Sequence, residues 1–148
     1  MLPALNEDGV LAPGIHLAEW EELWTMFGTT PHRRRLLLGF RRAIQALKIA
    51  GCRIVYLDGS FVTGKDVPGD FDACWDHADV EFTRLDPILL TFDAGRAAQK
   101  VKFGGELFPA HAIAESSSAS PFLEFFQVHK ETGAAKGIIA IDLERFQL

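Results

Sequence analysis

The sequence predicts an α/β fold, on three observations. Two stretches between residues 17 and 50 carry apolar side chains at helical spacing, and an almost continuous apolar run at 53–57 reads as a strand buried on both faces. Further short apolar runs, at 70–75, 105–114 and 137–143, alternate with helical patterns. With 148 residues and 48% hydrophobic composition the chain suits one domain with a real core, and no second domain is expected. It divides into an extended arm at 1–16, two helices at 17–50 and a core at 51–148.

The arm holds Pro3, Asn6, Gly9, Pro13 and Gly14, too many breakers for regular structure, while Leu2, Leu5, Val10 and Leu11 give it something to bury. From Leu17 to Phe27, Leu17, Trp20, Leu23, Trp24 and Phe27 form one helical stripe, with Glu19, Glu21 and Glu22 toward solvent. Thr30 is placed to cap the next helix, with Pro31 at its first position and Gly51 as its stop after Ala50. Leu36, Leu37, Phe40, Ile44 and Leu47 form its core stripe. Arg33, Arg34, Arg35, Arg41, Arg42 and Lys48 give it a strongly basic character, read first as a solvated face and second as a phosphate contact.

Arg53 to Leu57 is the first core strand, and Asp70 to Trp75 the second. Between them Gly59 allows close backbone approach, and Ser60 offers a hydroxyl and an N–H to an anion. Phe61 to Thr63 open a short helical turn, Thr63 and Lys65 extend the same anion site, and Pro68-Gly69 aim the second strand. Strand alternation points Asp70 and Asp72 one way and Phe71 and Ala73 the other. Neighbouring carboxylates resist full ionisation unless a cation lies between them, and a hard divalent cation takes oxygen ligands. A phosphate cradle beside a metal site is therefore expected. The bland alternative makes Asp70 a turn cap and Asp72 an edge-strand charge.

Val80 to Phe92 reads as a helix or two short turns broken at Pro87, and Asp93 to Phe103 as a helix with Ala94, Ala97, Ala98 and Val101 inward, stopped by Gly104-Gly105. GELFPAHAIA (105–114) is a third strand; His111 on it is given no chemical role. A Ser-rich loop over Glu115–Ser120 precedes a helix from Pro121 to His129 with Phe122, Phe125 and Phe126 inward. A turn over Glu131–Lys136 enters the last strand, GIIAIDL, which contains Asp142. Lys136 is a weak candidate for a phosphate contact.

Gly-Ser, a spacer of this length and Asp-hydrophobic-Asp resemble the signature of nucleotidyltransferases built on the DNA polymerase beta palm. The runs LDGSFVTGK, DGVLAPGIH, GGELFPA and FFQVHKETGAAKGI look like a small bacterial group of that superfamily. The resemblance implies a short mixed sheet with helices packed on it and a site at the strand ends. It implies transfer of a nucleoside monophosphate from an NTP to a hydroxyl on RNA, a protein or a small molecule. It also implies two Mg²⁺ ions, replaceable by Mn²⁺, on Asp70 and Asp72, with phosphates on Gly59, Ser60, Thr63 and Lys65. The third carboxylate, as base or metal ligand, is carried to Glu106, with Asp142 as second candidate. Small relatives often belong to toxin–antitoxin or phage-defence pairs, so a partner protein or a homodimer is expected. The rival implication is a catalytically weak or inactive palm-like domain that binds nucleotide or another protein.

A net charge of −5 argues against gripping nucleic acid over the whole surface, though a local basic patch survives that average. Cys52 and Cys74 fall in or beside buried strands and read as packed thiols, which suits a reducing cytosol. No run approaches the ~18 apolar residues of a membrane span and no signal peptide is evident, so a cytoplasmic protein without membrane contact is expected.

Overall fold

A computed structural model of the chain describes residues 2–114, 120–129 and 132–147. The Ser-rich loop expected over Glu115–Ser120 falls almost wholly outside them, as does the start of the turn at Glu131. The fold is α/β, a five-stranded mixed sheet with strand order β1-β5-β2-β3-β4. The strands are β1 (Gly14–Leu17), β2 (Ile54–Asp58), β3 (Phe71–Trp75), β4 (Gly105–Pro109) and β5 (Gly137–Asp142). Pairing is parallel for β1 with β5 and β3 with β4, antiparallel for β2 with both β3 and β5.

Among the described residues four helices accompany the sheet: α1 (Trp20–Phe27), α2 (Pro31–Ile49), α3 (Asp93–Phe103) and the short α4 (Phe122–Phe125). Glu19 and Glu22 form a capping box at the start of α1. At the start of α2 the Thr30 hydroxyl accepts from the Arg33 N–H at 3.1 Å, with Pro31 at the first position as expected. All five expected stripe residues of α2 are buried, and with Leu23 and Phe27 of α1 they cover the face of the sheet that carries Val55, Leu57, Phe71, Ala73, Trp75 and Leu107. The other face carries Tyr56, Cys74, Phe108 and Ile138 and is covered by Phe122, Phe125 and Phe126.

Four expectations change. The breaker-rich arm ends in β1, so Leu17 closes a strand and is 52% exposed, not part of the α1 stripe. The backbone of Ala94, Gly95 and Arg96 is left-handed (φ 50°, 65° and 61°), which rotates the rest of α3. Gln99 and Phe103 therefore face inward while Val101 is exposed, and the alanines expected inside are not buried. The third strand stops at Pro109, and the helix expected to His129 stops at Phe125, after which Val128 bridges to Ala135. Val80–Phe92 forms two short 3-10 turns, at Phe82–Arg84 and Pro87–Leu90, the second of the two expected forms.

Arg33, Arg34 and Lys48 of α2 cap carbonyls. Arg33 is buried, and its guanidinium donates to the carbonyls of Phe27 (3.3 Å), Phe61 (2.8 Å), Thr63 (2.9 Å) and Lys65 (2.6 Å). Arg34 donates to Gly28, and Lys48 to Leu143 and Phe146. Those charges pin chain ends and loops to the helix. Cys52 and Cys74 are free and buried, as packed thiols.

Candidate functional site

The antiparallel pairing of β2 with β3 sets Asp58 opposite Asp72, and the parallel pairing of β3 with β4 sets Asp72 beside Glu106. Three carboxylates thus form one row across three strands, on the same face as the row Tyr56, Cys74 and Phe108 two residues along. Directly after Asp58 the chain turns at Gly59 with φ +84°, a conformation that favours glycine, and enters a single 3-10 turn at Ser60–Val62. One such turn is too short for the helix dipole expected over Phe61–Thr63, so its contribution to anion binding comes from individual N–H groups. Phe61 and Val62 are buried and anchor the turn from below.

The turn and two acids of the row, Asp58 and Asp72, open into a cleft of about 340 Å³, and Glu106 is not among its walls. Its walls include Asp58, Gly59, Ser60, Thr63 and Asp72 from the core, Val10 from the arm, and Phe125, Phe126, Val128, His129 and Lys136 from the segment before β5. Val10 reaches it because the arm lies along the loop: it bridges to Thr63, and the Gly64 N–H donates to the Gly9 carbonyl at 3.1 Å. The Thr63 hydroxyl donates to the Ser60 carbonyl at 2.6 Å and accepts from the Lys65 N–H at 3.1 Å, so its first task is to hold the loop closed.

The expected site residues divide. Gly59, Ser60, Thr63 and Asp72 share the cleft, whereas Asp70 stands one residue before β3 and is not among its walls. Lys65 is exposed and lines a separate cavity beside Arg33, Thr30 and Asp66, not the phosphate cradle expected of it. Glu106 lies in the row but is already engaged: its Oε1 receives Arg96 at 3.1 Å and Lys100 at 3.0 Å. Burial raises the Glu106 pKa, yet the hydrogen bonds and charges of Lys100 and Arg96 outweigh that and hold it below the ordinary glutamate value. Asp142 is remote. It pairs with Ile54, at the opposite end of β2 from Asp58, which removes it as a third acid for this cleft.

Asp142 instead borders a larger cavity, about 510 Å³, with Trp20, Arg41 and Phe146. The Arg41 guanidinium lies over both rings, 5.4 Å from Trp20 and 5.1 Å from Phe146. That cavity is larger, but the glycine-serine turn and two acids of the row, Asp58 and Asp72, belong to the smaller one.

The cleft also holds Asp58, which the sequence did not suggest, and Lys136, which it offered only as a weak candidate. Asp58 is 3% exposed, and Lys136 places its Nζ 3.1 Å and 3.2 Å from the two Asp58 carboxylate oxygens. The signal for Asp58 was an acid ending an apolar strand immediately before the Gly-Ser turn, where hairpin geometry sets it against the following aspartates.

Among the described residues no group of three or more histidine, cysteine or carboxylate side chains is gathered to hold a metal ion. The oxygen donors suit Mg²⁺ nonetheless, because that ion is usually held by one or two carboxylates with substrate phosphates and water completing its octahedron. Asp72, which lines the cleft against the Gly-Ser turn, fits that mode of binding. No helix among the described residues is long and apolar enough to cross a membrane. Over residues 3–142 the chain matches a family described as a family of unknown function (DUF6932). No curated protein and no solved structure matches it.

Proposed function

The chain belongs to that family of unknown function, and for it we propose a metal-dependent nucleotidyltransferase centred on the cleft at Gly59, Ser60 and Asp72. The observation that carries the proposal is the close approach of the Gly59 backbone to the Asp72 carboxylate, which sets the Gly-Ser turn against an acid at the strand ends. The fold in this reading is the polymerase beta palm. Support for it comes from a strand, a Gly-Ser turn, an antiparallel strand carrying the acid, and a further carboxylate on the next strand.

In this reading the Ser60 hydroxyl and the N–H groups of the turn hold the β and γ phosphates of an NTP. Asp72 would hold Mg²⁺, and Asp70 would join it only on moving in from its place outside the cleft wall; the ion would supply charge neutralisation and a lowered pKa for the attacking hydroxyl. Thr63 positions the turn through its bond to Ser60. Glu106 would act as base or ligand only after releasing Arg96 and Lys100. The acceptor is a hydroxyl on RNA, protein or a small molecule, and a cytoplasmic toxin–antitoxin or phage-defence pair, with a partner protein or a second copy, is the setting the resemblance suggests.

A second reading has one observation in its favour. Glu106 doubly bound by cations describes a structural acid, as in a palm-like domain that binds nucleotide without transferring it. Calorimetric titration of each NTP with Mg²⁺ or Mn²⁺ separates the possibilities. Metal-dependent binding that vanishes in Asp72→Asn, followed by label transfer from the bound NTP into cell extract, supports catalysis. Binding without transfer supports the second reading, and a folded protein that binds no NTP sinks both.

A further inference from the structure

Resting on the reading of the cleft as a nucleotide site, we propose that Lys136 binds the terminal phosphates and that Asp58 is the counter-ion that holds it until they arrive. The two side chains are 15% and 5% exposed, so their ion pair is largely withdrawn from water, yet both residues line the cleft beside Gly59 and Ser60. Among the described residues of the cleft wall, Lys136 is the one lysine or arginine. The cations that the sequence suggested are committed elsewhere. Arg33 is spent on four backbone carbonyls, and Lys65 lines a different cavity.

A triphosphate entering this cleft meets Asp58 and Asp72, which face each other across β2 and β3. Like charges at that spacing repel, so a polyanion needs a cation supplied from the wall as well as any that it brings. Lysine suits an exchange of partners. Its ammonium is a point charge on a flexible stem with three rotatable donors, unlike the fixed fork of arginine. Moving from Asp58 to phosphate keeps the ammonium paired throughout, and it withdraws the positive charge from Asp58 beside Asp72, where a phosphate-borne cation would be drawn. The ion pair is thus an internal competitor of the nucleotide. A lysine placed only to neutralise a buried aspartate would have no such competition.

The two roles differ in sign for one variant. Inorganic tripolyphosphate is titrated calorimetrically in EDTA, and ATP with Mg²⁺, into wild type, Lys136→Met, Asp58→Asn and the double variant, with thermal melts confirming that each is folded. The double variant removes both charges together and guards against a buried aspartate that has lost its lysine unfolding Lys136→Met. Loss of one charge-assisted phosphate contact weakens tripolyphosphate binding roughly ten- to hundredfold in Lys136→Met and in the double variant. Asp58→Asn, which releases the lysine, tightens it. Unchanged tripolyphosphate affinity in the double variant, or weakening in Asp58→Asn, overturns the proposal. The outcomes also separate it from the reading beneath it. Mg²⁺-dependent ATP binding that is indifferent to Lys136 rejects this inference and leaves the transferase reading standing. The expected tripolyphosphate pattern without any NTP binding keeps the Lys136 anion site and rejects the transferase.

Discussion

Gly59 lies so close to Asp72 that a Cβ in place of its hydrogen would stand 2.5 Å from the Asp72 Oδ2. Contact this tight means that the turn and the acid set each other's position. The backbone also sits at φ +84°, so alanine there is strained twice, once by its own conformation and once by the carboxylate. Gly59→Ala should lower stability by about 1–3 kcal/mol. It should weaken Mg²⁺-dependent nucleotide binding by about tenfold, the equivalent of one lost phosphate hydrogen bond. Urea unfolding and calorimetry on the same preparation check both, and a variant that binds like wild type would show that the contact is incidental.

Arg33 holds the same turn from beneath. Its removal leaves four carbonyls short of a donor, those of Phe27 and Phe61 in buried bonds and those of Thr63 and Lys65 in part-buried ones, and each buried orphan is costly. Arg33→Met should cost about 3 kcal/mol or more. Arg33→Lys should recover only part of it, since an ammonium cannot reproduce the geometry of the guanidinium fork. Unfolding midpoints that agree with wild type within experimental error would refute the clamp.

How much of this was legible in the sequence differs from element to element. The α2 stripe and its Thr30-Pro31 start could be read because they depend on local periodicity and capping, and all five stripe positions are buried. The Gly-Ser turn and the Asp72 strand were legible for a similar reason: the spacing alone requires the chain to leave one strand and return beside it. The direction of a charge was not legible. Arg33 and Arg34 lie on a helix without acids, and nothing local says that their partners are carbonyls in a loop some thirty residues away and at the end of the preceding helix. Lys65 was assigned to the cradle because it lies near Ser60 in sequence, but the bonds of Thr63 and Arg33 to the intervening backbone turn it into another cavity.

The same limit explains Asp58, Lys136 and α3. The ion pair joins residues 78 apart, so it exists only once β5 lies beside β2. In α3, the left-handed residues 94–96 shift the helix phase, and a stripe of alanines with Val101 then mimics an inner face that the fold leaves outside. Gln99 occupies the buried position. Its amide donates to the Ile88 carbonyl at 3.2 Å and accepts from the Leu107 N–H at 2.8 Å, so a polar residue joins α3 to β4 and to the turn before it.

Both cysteines should be inert in the folded protein. Burial pushes the Cys52 thiol up to about 12 and raises Cys74 as well, and the thiolate is the form that reacts. Alkylation at pH 8 followed by mass analysis should therefore add nothing to the native chain and two groups after unfolding in urea. Rapid native labelling at either position would contradict the packing of β2 and β3.

Glu106 gives the fold a dependence on acid. Burial favours its neutral form, but Lys100 and Arg96 favour the carboxylate more, so its folded pKa lies below the ordinary value of 4.5. Between the folded value and 4.5 the unfolded chain binds more protons, so stability rises with pH through that window. The contribution of Glu106 is thus complete above the ordinary value and is lost as pH falls through the lowered one. Glu106→Gln should be less stable than wild type at pH 7, and the gap should close as pH falls into and below that window. Urea unfolding across pH 3 to 7, roughly the span on either side of a carboxylate's titration, measures the gap directly. A gap that stays constant would mean that Arg96 and Lys100 do not hold the carboxylate in solution, and Glu106 would then be available to act beside Asp72 without first releasing two cations.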